Sequence, residues 1–100
     1  MLNIRKAVDG TALTLSLDGR LDTTTAPQLD AAIKESIEGV EELTLDFSGL
    51  DYISSAGLRI FLGSQQKMTA SGGKMVLSGV RPIVKEIFDI VGFSDEFTFI

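Results

Sequence analysis

Asp46-Phe-Ser-Gly-Leu-Asp-Tyr-Ile-Ser-Ser-Ala-Gly-Leu58 carries the end of an apolar strand into a pair of hydroxyls where a helix begins. Leu43-Thr-Leu-Asp-Phe47 alternates β-forming apolar residues with polar ones, which predicts a strand with Leu43, Leu45 and Phe47 on one face and Asp46 on the other. Downstream, Leu58, Phe61, Leu62, Met68 and Thr69 recur with the spacing of one buried helical stripe. The helix is expected to start at Ser54 or Ser55, because a serine oxygen there accepts a hydrogen bond from a first-turn N–H that otherwise lacks a partner. No capping box follows, since Gly57 and Leu58 stand where Glu or Gln is needed.

A serine ahead of an amphipathic run is only a helix cap in most proteins. Here Ser54-Ser55-Ala56-Gly57 sets four small residues in a row at the helix start, which costs helix propensity at Gly57 and leaves backbone N–H groups open to approach. Such an uncovered N-terminus favours anions, including a phosphate carried by one of its own hydroxyls.

Working outward, Leu2–Val8, the turn Asp9-Gly10 and Ala12–Leu17 read as a β-hairpin whose first strand is an edge blunted by Arg5 and Lys6. Thr23-Thr-Thr25 before Pro27 announces a helix with Leu29, Ala32, Ile33 and Ile37 as its buried stripe, stopped by Gly39. Ser71-Gly-Gly73 ends the second helix and admits the strand Lys74–Ser78. Arg81-Pro82 opens a third helix with Ile83, Val84, Ile87, Phe88 and Val91 inward, and Glu96–Ile100 alternates like a short closing strand. The order ββαβαβαβ predicts an α/β fold, a mixed sheet with helices packed on it, whose βα loops carry function.

Asp46-x-Ser48-x-Leu50-x-x-Ile53-Ser54-Ser55-Ala56-Gly57-Leu58 resembles the signature of the STAS domain, found in bacterial anti-sigma-factor antagonists and in the cytoplasmic tails of anion transporters. Gly19-Arg-Leu-Asp22 with Ala26-Pro-Gln-Leu29 resembles the family's second-strand exit and first helix, and Gly72–Leu77, Val80–Phe88 and Gly92-Phe93 resemble its last strand and helix. The resemblance spans residues 1–100 and implies one STAS domain of that mixed-sheet type. It implies an anti-sigma-factor antagonist that binds an anti-sigma factor when unphosphorylated and is released by serine phosphorylation, regulating transcription by partner switching. Its partners are then an anti-sigma-factor serine kinase and a serine phosphatase acting on the phosphorylated form. By alignment Ser55 is the acceptor. Phosphorylated members usually have aspartate before the acceptor and a second hydroxyl after it, whereas this chain has Ser54 and Ala56, which makes Ser54 a second candidate.

The partner face is expected to combine Asp22, Thr23, Ser48, Asp51, Tyr52, Ser54, Ala56, Gly57 and Arg59, if the second and third strands are adjacent and their exits share one rim. Asp22 is either an interface acid or a loop residue that bonds its own backbone. Asp46 and Ser48 suit tying down the loop before the helix, Ile53 suits the core, and Tyr52 is an aromatic of the kind that anchors interfaces. Arg59, Ile60, Gly63, Ser64 and Lys67 form the outer side of the second helix, a partner surface or a solvated face.

Composition narrows the alternatives. The 100 residues are 44% apolar and contain no cysteine and no histidine, which removes disulfide frameworks, thiolate metal sites, common zinc sites and a Ser-His-Asp relay. Asp22, Asp46 and Asp51 are not spaced as a calcium loop, so no metal and no cofactor are expected. Nine basic against fourteen acidic residues give a net charge of −5, with the basic residues scattered, which argues against nucleic acid. No apolar run reaches the ~18 residues of a membrane helix and the N-terminus lacks a signal peptide's apolar core, so a cytoplasmic location without membrane insertion is expected. A small enzyme or nucleotide-binding module using the helix N-terminus as a phosphate cradle would normally show a P-loop lysine or a GxGxxG run, and neither is present. The competing reading that shares the fold is a STAS scaffold subunit of a membrane transport complex or signalling assembly.

Overall fold

Ala12–Leu17 and Leu43–Phe47 each place an apolar residue at every second position, so two such strands in register build one apolar and one polar face. The computed structural model, which describes residues 2–100, realises this in a four-stranded sheet. β1 (Leu2–Asp9) turns through Gly10 and Thr11 into β2 (Ala12–Leu21), and α1 (Ala26–Ser36) leads to β3 (Glu42–Ile53). α2 (Ser55–Ala70) leads to β4 (Lys74–Ser78), and α3 (Pro82–Ile90) is followed by a 3-10 turn at Ser94–Glu96. The spatial order is β1-β2-β3-β4, with β1 antiparallel to β2 and the other two pairings parallel.

The register aligns Leu13, Leu43 and Met75 in one row and Leu15, Leu45 and Leu77 in the next, and all six are buried. Phe47 continues this face and is met by Phe61 of α2 at 4.9 Å and Phe88 of α3 at 6.2 Å between ring centres, so both helices cover the same side. α1 packs beside α2 and adds Ala26, Leu29 and Ile33 to the core. The reverse rows, Thr14–Thr44–Val76 and Ser16–Asp46–Ser78, stay partly exposed. Parallel strands are usually apolar on both faces because both are covered; here one face is open, which is why the strands alternate.

Three expectations are corrected. The third strand does not end at Phe47 but runs to Ile53, its pairing with β2 shifting register between Ser16 and Asp18 and again between Gly19 and Arg20. Ser48, Asp51 and Tyr52 therefore sit on an irregular strand rather than in a loop, and Gly49 allows the close crossing, since a Cβ there would lie 3.1 Å from the Leu17 carbonyl oxygen. The closing strand over Glu96–Ile100 reduces to a single parallel bridge between Leu77 and Phe99. Leu77 N–H donates to Thr98 O at 2.8 Å and Ile100 N–H to Leu77 O at 2.9 Å. Rings add to these bonds, Phe97 and Phe99 meeting Phe88 edge-on at 5.3 and 5.5 Å. Finally, the buried stripes are narrower than expected. Thr69, Ile83 and Val91 are exposed and Ala32 and Leu62 half-buried, while α2 buries Ser64 against its neighbours.

Candidate functional site

Ser54 takes the cap position of α2. Its backbone is extended, with φ −96° and ψ 172°, and its Oγ accepts a long hydrogen bond of 3.4 Å from Gly57 N–H. Its own N–H donates to Leu21 O at 2.8 Å, which ties the start of α2 to the exit of β2 and so brings the two predicted loops onto one rim. Ser55 is the first residue of the helix, exposed, and its hydroxyl makes no hydrogen bond among the described residues. Two adjacent serines thus divide the work: one oxygen is used by the helix and the other is free. Gly57 differs from the other predicted face residues in being buried. A Cβ there would lie 2.6 Å from Leu21 Cδ2, so its part is to let α2 approach β2.

Across the rim, Asp22 is occupied by its own loop. Its Oδ1 accepts from the Thr24 hydroxyl at 2.7 Å, from Thr24 N–H at 3.0 Å and from Thr25 N–H at 3.1 Å, and Asp22 N–H donates to Thr25 Oγ1 at 2.9 Å. The Thr24 hydroxyl first, then Thr25 N–H, hold its carboxyl down to a pKa of about 2. Thr25 Oγ1 donates to Arg20 O at 2.9 Å, fixing the entry to α1, and Thr23 is left exposed at the loop tip.

Along the end of β3, Asp46 accepts Ser48 N–H at 3.0 Å, the main cause of its lowered pKa. Ser48 O accepts from Arg81 Nε at 2.9 Å, and the Arg81 guanidinium also reaches Asp51 Oδ1 at 2.5 Å. Tyr52 is 37% exposed with the Arg20 guanidinium 4.5 Å from its ring centre, a cation–π contact between cross-strand neighbours. The structure thus brings Asp22, Thr23, Ser54, Ser55 and Ala56 together, with Arg59 one turn further along α2 and Tyr52 against Arg20 of β2, whereas Ser48 and Asp51 are drawn to Arg81 at the start of α3. Among the described residues no cluster of acidic side chains is arranged to hold a metal ion, and no helix is long and apolar enough to cross a membrane.

A STAS domain profile matches residues 3–100. The chain belongs to the STAS domain family. A protein of Bordetella bronchiseptica, provisionally named anti-sigma factor antagonist BtrV, is 38% identical over 87 residues, covering 86% of this chain and 74% of that protein. Among solved structures, the anti-sigma factor antagonist SpoIIAA in its unphosphorylated form superposes with a TM-score of 0.82 at 22% identity, over 100% of this chain and 88% of that one. The phosphorylated form of the Bacillus SpoIIAA superposes with a TM-score of 0.76 at 22% identity, over 100% of this chain and 91% of that one. The Bordetella relative is thus named for anti-sigma factor antagonism, and the two solved structures share the fold of the present STAS domain.

Two residues of this STAS domain escaped the sequence reading. Arg20 and Arg81 hold Tyr52 and the Ser48–Asp51 segment in place, and neither belongs to the signature stretch. Both lie in quoted stretches, Arg20 in Gly19-Arg-Leu-Asp22 and Arg81 in Arg81-Pro82, but a strand exit and a helix opening say nothing about the direction of a guanidinium.

Proposed function

We propose that this STAS domain binds an anti-sigma factor while Ser55 is unmodified and loses it once Ser55 carries a phosphate, so that transcription is regulated by partner switching in the cytosol. The observation that carries this reading is the division of labour at the start of α2, where Ser54 supplies the cap and leaves the Ser55 hydroxyl exposed and unbonded. A phosphate at that point brings about −1.5 to −2 charges to a helix N-terminus that favours them by about 0.3–1 kcal/mol. The fold tolerates the modification. An interface formed over the same rim does not, because like charges or an unpaired charge in a desolvated contact cost several kcal/mol. The nucleotide site belongs to the partner kinase, a serine phosphatase resets the switch, and this chain acts as a substrate and regulator rather than as a catalyst.

The test is affinity capture from native cytosol with wild-type and Ser55→Asp baits. Wild type is expected to retain an ATP-binding anti-sigma kinase that the variant releases. Equal retention of the same proteins by both baits, whether a kinase or transporter components, would sink the switch and leave an assembly module.

A further inference from the structure

Beside the rim, an open groove of about 550 Å3 is lined by α1 and α2. Its α2 wall is built from Ala56, Arg59, Ile60, Gly63, Ser64 and Lys67, a single stripe of the helix at spacings of three and four. Ile33 and Ile37 line the opposite side. Its charge runs against that of the chain. Lys34, Arg59 and Lys67 border it with Asp30 as the one acid, already bonded to Lys34 at 2.9 Å, in a sequence where acidic residues outnumber basic ones by fourteen to nine. Neither Arg59 nor Lys67 has an ion-pair partner among the described residues.

Gly63 is the second observation. It lies inside α2, where glycine weakens a helix relative to alanine, and a Cβ built on it meets nothing within 4 Å. Packing within the chain gives no reason for glycine at this place, in contrast to Gly57. An open backbone at the centre of a groove wall admits the close approach of another apolar segment.

We infer that the groove seats an acidic amphipathic helix of the partner, with its apolar stripe on Ile60 and Ile33 beside Gly63 and its flanking carboxylates on Arg59 and Lys67. Ser55 stands four residues before Arg59, so both lie on one side of the first turns, and an anion placed N-terminal to a cation at that spacing is the favourable order. A phosphate on Ser55 then draws Arg59 away from the groove mouth, a coupling that rests on the switching function proposed above.

The test titrates the full chain, followed by amide NMR, with two synthetic helical peptides that share one leucine stripe and carry either glutamate or lysine on its flanks. The glutamate peptide is expected to shift Ile60, Gly63 and Ser64 saturably and to bind at least about tenfold more tightly than the lysine peptide. Gly63→Leu is expected to keep or raise the thermal midpoint while weakening the glutamate peptide at least about tenfold, and Arg59→Gln to weaken it about fivefold. Genetically encoded phosphoserine at position 55 should weaken it as much as Arg59→Gln does, with little further loss when the two are combined. Equal binding of both peptides, full binding by Gly63→Leu, or shifts elsewhere on the chain would overturn the inference. So would groove amides that move with the chain's own concentration, which would assign the surface to a second copy. If the capture experiment is sensitive to Ser55 while the glutamate peptide leaves the groove unmoved, switching stands and this docking falls. If the peptide results hold while both baits retain the same proteins, docking stands and switching falls.

Discussion

A methyl group built on Gly57 would lie 2.6 and 2.7 Å from Leu21 Cδ2 and Cγ and 3.2 Å from Ile53 Cγ1, whereas one built on Gly63 in the same helix would touch nothing within 4 Å. Alanine at either position relieves the glycine cost of a helix, about 0.5–1 kcal/mol. At Gly57 that gain is outweighed, because Leu21 is fully buried and overpacking costs about 1–3 kcal/mol. Gly57→Ala should therefore lower the thermal midpoint and Gly63→Ala should raise it. Midpoints moving in the same direction for both would show that α2 is not held against β2 as described. At Asp22 the relevant variable is pH. Its carboxyl titrates near 2 when folded against an ordinary value of 3.8, so its hydrogen bonds stabilise the fold fully above the unfolded value and fade as the pH falls through about 2. The stability gap between wild type and Asp22→Asn should be level from neutral pH to about 5 and close between about 4 and 2. Denaturant unfolding over a pH series reads this directly, and a gap that widens on acidification would contradict the loop geometry.

Among the elements, the end of β3 depends on a contact made from the start of α3. Arg81 holds the Ser48 carbonyl at 2.9 Å and the Asp51 carboxylate at 2.5 Å, both exposed. The ion pair itself is worth about 0–1 kcal/mol in water, so Asp51→Asn should cost less than about 0.5 kcal/mol. Arg81→Ala also removes the carbonyl's donor and should cost about 1 kcal/mol, with faster hydrogen exchange over Ser48–Tyr52. Equal costs and unchanged exchange would show that α3 does not brace the strand. The same elements explain what was legible in the sequence. Ser54 and Ser55 could be read because a cap and its first turn are local, and Leu13–Leu17 and Leu43–Phe47 because regular alternation is local. The Arg81 contacts span 33 and 30 residues, and no window of sequence contains both ends. The extension of β3 was hidden because Ser48–Tyr52 breaks alternation at register shifts that exist only against β2. Glu96–Ile100 has a strand's pattern, yet its two phenylalanines satisfy Phe88 and only one bridge to β4 forms.

On the scale of the whole molecule, Phe47 is locked between Phe61 and Phe88, and all three are fully buried. Displacing α2 from the sheet would open this cluster, and losses of large core side chains cost about 3–5 kcal/mol. A phosphate on Ser55 acts at the far end of the helix through its dipole and through Arg59, with about 0.3–1 kcal/mol available from the dipole. That is too little to move the layer, so the fold should be a fixed scaffold on which only surface charge changes. With phosphoserine encoded at position 55, amide shifts should be confined to the Leu21–Thr25 loop and the first half of α2. Phe47, Phe88 and Phe97 should keep their positions in the spectrum, and the thermal midpoint should stay within the about 4–8 °C that corresponds to 1 kcal/mol in a chain of this size. Shifts reaching α3 and the Phe97–Phe99 segment would mean that the modification is transmitted through the core. Release of a partner would then come from a conformational change rather than from charge placed on an unchanged rim.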